Sequence, residues 1–365
     1  MKGLLLAGGH GTRLRPLTFT GNKHMIPIAN QPMLFYGLHH LADAGIREVA
    51  IVLGTIHEGI PEAVGDGAAF GLKVTYIHQG EPKGLAHAVA CARSFLAEDP
   101  FVMYLGDNLL QDGARPLTEA FAARGGDAVI GVTPVADARQ YGVVEMDGDR
   151  IVSIVEKPPA PRSNLALIGV YLFTPSIHPI IAALRPSARG ELEITEAIWQ
   201  LHRSGGNVRV QRVQGWWKDT GRPRDLLEAN AKVLRSAGTS RFVREGRVDP
   251  GAMLVGSVGI GAGSTVGADC RIDGPVVLGK GVRVEGGAQI GPCTAVGDRS
   301  VIRGVTLEGS IVLEGAVLDG RFHLQDSIVG RDTEIVGGAT DQQAVSCVLG
   351  DAGRVRLGAA TGGPP

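Results

Sequence analysis

Three glycines, an arginine and a lysine stand close together near the start of the chain: Gly8, Gly9, Gly11, Arg13 and Lys23. They follow an apolar run, so a strand over 3–7 feeds a glycine-rich loop. Glycines let a backbone turn tightly and come close to a ligand. Successive backbone N–H groups in such a loop form an anion-binding concavity. Arg13 supplies a planar fork suited to phosphate, and Lys23 a second fixed positive charge. The segment reads as a polyphosphate grip. It is neither of two better-known phosphate loops. The third position of G-x-G-x-x-G is Leu14 here, and no Gly-Lys-Ser/Thr occurs in the chain. An ordinary strand-to-helix turn is the bland alternative.

Carboxylates come next. Asp107 ends the apolar run 101–105, and Asp219 lies in the turn Trp217-Lys218-Asp219-Thr220-Gly221. Two aspartates holding one Mg²⁺, with substrate phosphates in its other positions, is the usual way this ion meets a nucleotide. Either alone would serve equally as a cap or turn residue. Glu156-Lys157-Pro158 ends another strand with a charged pair. Lys157 suits an anionic substrate and Glu156 its hydroxyls; a solvated strand end is the alternative.

The elements that must place these residues have two grammars. Residues 1–235 alternate apolar runs (3–7, 48–53, 73–78, 101–105, 128–132, 151–156, 167–173) with helical stretches (33–44, 86–97, 194–204). This is the pattern of an α/β domain with a Rossmann-like, mostly parallel sheet. Ligands bind beyond the carboxyl ends of such strands, where the glycine loop lies. From residue 248, Leu254, Ile260, Val266, Ile272, Leu278, Val284, Ile290, Val296 and Ile302 fall on a six-residue step. Helices do not repeat every six residues; a hexapeptide parallel β-helix does. The phase slips near Glu308, and further coils are expected beyond it. The expected organisation is a catalytic domain over 1–236, a linker over 237–247, a β-helix over 248–358 and a flexible tail over 359–365. The helical stretch 225–237 bridges the halves.

Composition bounds the rest. A length of 365 residues allows two domains, and a net charge of −1 points to neither nucleic acid nor an anionic membrane as partner. Much of the excess of 54 glycines falls in the hexapeptide region. No apolar run is long enough to span a bilayer, and no signal peptide precedes the first strand. The four cysteines are scattered without C-x-x-C, which reads as buried thiols in a reducing cytoplasm.

Seven ordered motifs resemble the glucose-1-phosphate thymidylyltransferases of the sugar nucleotidyltransferase superfamily. They are L6-A-G-G-x-G-T-R-L, the N-K-x-x-x-P-I around Lys23, L105-G-D-N, Y141-G-V-V-E, E156-K-P, R189-G-E-L-E-I-T and D219-T-G. They cover nearly all of residues 1–230. The added β-helix is similar to the long form of deoxysugar and antibiotic-sugar pathways, whose β-helix is left-handed. The resemblance implies transfer of a nucleotidyl group from dTTP to glucose 1-phosphate with Mg²⁺. It implies that Gly8, Gly9, Thr12 and Arg13 hold the triphosphate and Lys23 the α-phosphate and leaving pyrophosphate, that Gln79, Gly84 and Leu85 meet the base, and that Leu6 also binds the nucleotide. Tyr141, Gly142, Glu156, Lys157, Val170 and Trp217 would surround the sugar phosphate, and Asp107 and Asp219 would bind the metal. Arg13, Lys23, Lys157 and Asp107 would carry the chemistry. Two positions depart from the family pattern: Gln31 stands where Lys is frequent, and Ile168 where short members have Thr. His10, inside the loop, receives no role.

Three rivals remain in view: a UTP-using or other hexose-1-phosphate nucleotidyltransferase, a bifunctional enzyme with an acyltransferase site at His323, and a non-catalytic scaffold with a decayed site. The β-helix is expected to be an independent structural and assembly module, and the chain a homo-oligomer.

Overall fold

The structure is a computed structural model and describes residues 1–338 and 343–358. The expected tail 359–365 lies outside the described residues. By contact the chain forms two compact units, Met1–His10 with Met33–Asp219, and Gly11–Pro32 with Thr220–Pro365. The division differs from the expected boundary at residue 236. The glycine-rich loop is itself divided, and the segment bearing Arg13 and Lys23 groups with the C-terminal unit. An independent C-terminal module was the expectation; Gly11–Pro32 groups with it by contact.

In the first unit, strand Lys2–Ala7 pairs in parallel with Glu48–Leu53 on one side and Phe101–Leu105 on the other, and Lys73–His78 extends the sheet. Leu4, Leu5, Ile51, Val52, Met103 and Tyr104 are fully buried, as continuous apolar runs between helical layers require. Leu165–Phe173 runs antiparallel to Phe101–Leu105 and carries Ala128–Pro134 and the hairpin Gly142–Asp147/Arg150–Glu156. The sheet is thus mixed, and its antiparallel part presents the Glu156 end. Expected strands match to within two residues at each end. The helical stretch 86–97 breaks into Leu85–Cys91 and Arg93–Leu96. Ile168 is buried, its side chain lying over Gly131 on the neighbouring strand. That departure from the family pattern is a packing residue.

In the second unit three sheets of short parallel strands form a parallel β-helix. Leu254 pairs with Ile272, Ile260 with Leu278 and Val266 with Val284, each eighteen residues on. After Ile302 the ladder continues through Leu307, Val312, Leu318, Leu324, Val329 and Ile335, all buried. The slip near Glu308 is a shortening of corners from Ile302 to Val312, which leaves the buried ladder intact. The sheet containing Val258–Ile260, Val276–Leu278 and Thr294–Val296 is buried on both faces. Helix Pro223–Ser236 and the short helix Thr239–Phe242 pack on this sheet.

His40, on helix Met33–Asp43, packs against Gly113 and bonds through Nδ1 to the Tyr104 hydroxyl at 2.9 Å. Burial holds its imidazole down to about 4 from the usual 6.5, against the pull of Asp43. The unfolded chain therefore binds a proton that the native state refuses between those values. Stability is expected to fall as pH drops from 6.5 toward 4. His40→Leu should flatten that part of the profile, since Tyr104 keeps its bond to the Asn108 carbonyl. Urea midpoints measured across that range check this. An equally steep decline in the variant would remove His40 from the cause.

Candidate active site

In the first unit, Trp217–Asp219 pairs antiparallel with Asn108–Leu110, in a register that sets Asp219 opposite Asn108. Asp107, one residue before Asn108, and Asp219 thus occupy neighbouring positions of one two-stranded ribbon. Their donors are carboxylate oxygens, the set that hard cations such as Mg²⁺ prefer. Among the described residues no group of three or more His, Cys, Asp or Glu is gathered as a metal cage. Two carboxylates would leave the other positions of such a cation to substrate oxygens.

Asn108 holds the ribbon to the sheet. Its Nδ2 donates to Asp107 Oδ1 at 3.1 Å, and its Oδ1 accepts from the Gly169 amide at 3.1 Å and the Trp217 indole at 2.6 Å. Its side chain is almost fully buried. The pairing of Leu165–Phe173 with Ala128–Pro134 shifts register between Leu167 and Tyr171, where the Gly169 amide turns to Asn108. Val170 lies in the same stretch, opposite Tyr104. Trp217 meets Tyr141 edge-on, with ring centroids 5.1 Å apart.

A second cluster forms where Glu156 pairs with Gly142. Glu156 Oε1 stands 3.3 Å from Lys157 Nζ and 3.3 Å from the Arg189 guanidinium. Arg189 also bonds Glu193 Oε1 at 2.8 Å. Lys157 has φ of +43°, a conformation costly to a non-glycine residue and held here by a bond from its amide to the Tyr141 carbonyl at 3.0 Å. Thr195 packs against Gly142 at 2% exposure, and its hydroxyl finds no partner among the described residues. Lys157, Arg189, Glu193 and Thr195 line an open cavity of about 790 Å³.

Near the first strand, the Gln79 amide oxygen lies over Gly8. Gln79 Nε2 donates to the Gly84 carbonyl at 3.2 Å and to His87 Nδ1 at 3.1 Å. Burial lowers the His87 pKa, in keeping with a neutral, accepting Nδ1. Gly84 has φ of +102°, and a Cβ there would sit 2.5 Å from the Leu192 carbonyl. Leu85 opens the next helix, so the loop 79–85 and the loop 187–193 are laced together. Leu6 is buried in its strand; Gly9 lies in the loop, and His10 bonds Thr55.

In the second unit, Thr12 and Arg13 form a short helical turn after Gly11. Gly11 has φ of +64°, and a Cβ there would stand 2.9 Å from Lys23 Cβ, so the lysine stem crosses bare backbone. Asn22 caps the turn Lys23–Met25, accepting from the His24 amide at 2.8 Å. The Arg13 guanidinium lies against Gly221, where a Cβ would come within 2.8 Å of it. The glycine of D219-T-G thus leaves room for Arg13. His323 lies beside Thr306 in the β-helix, and its Nε2 has no partner among the described residues.

The sequence-predicted residues are thus spread over these groups, with Leu6 buried in its strand and Gly9 in the loop. The roles of Asn108, Arg189, Thr195 and Asn22 were not foreseen. All four lie within the motifs above, but the return of 187–193 to Glu156 has no periodic signature.

The family model described as Nucleotidyl transferase matches residues 2–236, and the chain belongs to that family. A glucose-1-phosphate thymidylyltransferase of Streptomyces antibioticus is 44% identical over 359 residues, covering 98% of this chain and 99% of the relative. The low-salt glycan biosynthesis nucleotidyltransferase Agl11 of Haloferax volcanii is 40% identical over 98% of this chain and the whole of the relative. The solved structure of a putative glucose-1-phosphate thymidylyltransferase from Bacillus anthracis, in complex with a sucrose, is 36% identical with a TM-score of 0.61, covering 65% of this chain and 96% of its own. Similarity to the thymidylyltransferases of the family thus extends through the β-helix.

Asn108→Ala would leave the Trp217 indole and the Gly169 amide without their acceptor. A loss of about 1–3 kcal/mol in unfolding free energy is expected for such an orphaned pair. Chemical denaturation measures it, and a change below about 0.5 kcal/mol would show that water replaces the amide.

Proposed function

We propose that the protein transfers a thymidylyl group from dTTP to glucose 1-phosphate, giving dTDP-glucose and pyrophosphate. The observation that carries this reading is the ribbon that sets Asp219 opposite Asn108 and so beside Asp107. Near-full-length similarity to named thymidylyltransferases supports the choice of substrates. UTP is the second reading, because a Haloferax volcanii relative named UTP–glucose-1-phosphate uridylyltransferase AglF is 38% identical over 236 residues.

An oxygen of the sugar phosphate attacks the α-phosphorus in line, and pyrophosphate leaves. The nucleophile is already an anion, so no general base is needed, and positioning with charge neutralisation accounts for the catalysis. Arg13 and Lys23 hold the triphosphate, with Lys23 at the α-phosphate. Gln79 and Leu85 meet the base. Lys157 and Arg189 bind the sugar phosphate, while Glu156, Thr195 and the Gly142 amide receive its hydroxyls. Asp107 and Asp219 would hold Mg²⁺, which supplies Lewis-acid neutralisation of the phosphate oxygens when bound. The enzyme is read as a cytoplasmic homo-oligomer, in keeping with its four unpaired cysteines.

Asp107→Asn and Asp219→Asn should each lower kcat by orders of magnitude with the fold retained. Lys157→Ala should act chiefly on the sugar phosphate, by about ten- to a hundredfold in kcat/KM, the worth of one charge-assisted contact. Pyrophosphate release with dTTP, UTP and glucose 1-phosphate checks all of these. Full turnover in either aspartate variant would take that residue out of the site. Faster release with UTP would transfer the assignment to a uridylyltransferase.

A further inference from the structure

The segment that bears Arg13 and Lys23 continues into a two-residue hairpin, Pro27–Ile28 against Gln31–Pro32. Its central residues, Ala29 and Asn30, have φ of +48° and +62°. Two-residue turns of this kind favour glycine or asparagine, and an alanine is strained there. Surrounding structure must therefore hold the turn, and three groups of the second unit do so. Asn230, fully buried on helix Pro223–Ser236, accepts from the Ala29 amide and donates to the Cys293 carbonyl, both at 2.8 Å. Arg241 donates to the Ala29 carbonyl at 2.9 Å and to Gln31 Oε1 at 3.3 Å. Asn30 donates to the Val296 carbonyl at 2.8 Å. The departure at Gln31 is thereby explained, because a lysine there would face the Arg241 guanidinium.

Anchoring continues back along the segment. Arg331 donates to the Met25 carbonyl at 3.4 Å, the Thr20 hydroxyl bonds Asp351 at 2.6 Å, and Pro16 lies against Gly350. Val296, Val312, Val329 and Leu349 occupy successive rungs of one β-helix sheet. Asn30 is tied at the first of these rungs, Met25 just past the third, and Thr20 and Pro16 just past the fourth. The segment thus runs lengthwise down the stack, opposite to the order of the coils.

We propose that the β-helix positions the triphosphate-gripping segment, and that Asn230 is the positioning residue that locks the Ala29–Asn30 turn. Asn230 reaches the two sides with one amide: its oxygen takes the turn and its nitrogen takes a coil. The inference rests on the reading of Arg13 and Lys23 as triphosphate ligands. It replaces an independent β-helix by one whose coils set where those cations stand.

The test uses the full chain with Asn230→Ala, Arg241→Met, Arg241→Lys and Arg303→Ala. The last removes ion pairs to Glu285 and Asp319 on a different β-helix sheet. Steady-state kinetics in each substrate should show KM for dTTP raised at least tenfold in Asn230→Ala and Arg241→Met. KM for glucose 1-phosphate should stay within twofold, and Arg241→Lys should recover part of the loss by keeping a donor for the Ala29 carbonyl. Arg303→Ala should change neither. Hydrogen exchange over residues 11–32, which needs no turnover, should lose protection in the first two variants alone. Unchanged protection there, or two KM values that move together, would overturn the positioning role. A wild-type chain inactive with both dTTP and UTP would overturn the functional reading instead, and exchange would still decide the positioning.

Discussion

A buried side-chain amide must fill its hydrogen-bonding directions, and the first unit is organised around one that does. Asn108 faces a carboxylate with its nitrogen, and a main-chain amide and an indole with its oxygen. Two of those bonds tie together the ribbon bearing Asp107 and Asp219, and the third joins it to strand Leu165–Phe173. Trp217 then fixes Tyr141 by ring contact, and the Tyr141 carbonyl fixes the left-handed Lys157. One polar centre thus reaches from the carboxylates of Asp107 and Asp219 to the backbone of Lys157. Only an uncharged amide serves: a carboxylate would repel Asp107, and an apolar residue would strand two donors.

The second unit repeats this logic with Asn230. Both asparagines spend their amides on contacts between elements far apart in sequence. Asparagine is costly to bury, so each is paired on both sides.

Much of the fold was legible because periodicity is a local property. Continuous apolar runs marked the strands of the first unit, and the six-residue step marked the β-helix as far as Ile302. The step failed where corners shortened, since sequence spacing counts corner residues and the core does not. The glycine loop, Asp107 and the Glu156–Lys157 pair stood out as candidates by residue type at strand ends, and Asp219 by its place in a tight turn. The contacts of Asn108, Arg189 and Asn230 were not legible, because a side chain reaching a group distant in sequence leaves no trace in spacing. The grouping of residues 11–32 with the second unit was hidden for the same reason. Nothing in residues 11–32 announces that they belong with coils some three hundred residues later.

Strands in a sheet stand about 4.8 Å apart, so the anchored stretch of β-helix, four rungs with three spacings, spans about 14 Å. That makes it a ruler with fixed graduations. A repeat protein ordinarily gains or loses whole units at little cost, because each contacts only its neighbours. Here a coil inserted between the Val296 and Leu349 rungs would move Asp351 one graduation away from Thr20 while Asn30 stayed at its mark. A coil added after the last rung would disturb nothing in the segment. The chain is therefore free to lengthen at one end only, and the number of coils opposite residues 16–30 is set by the length of that segment.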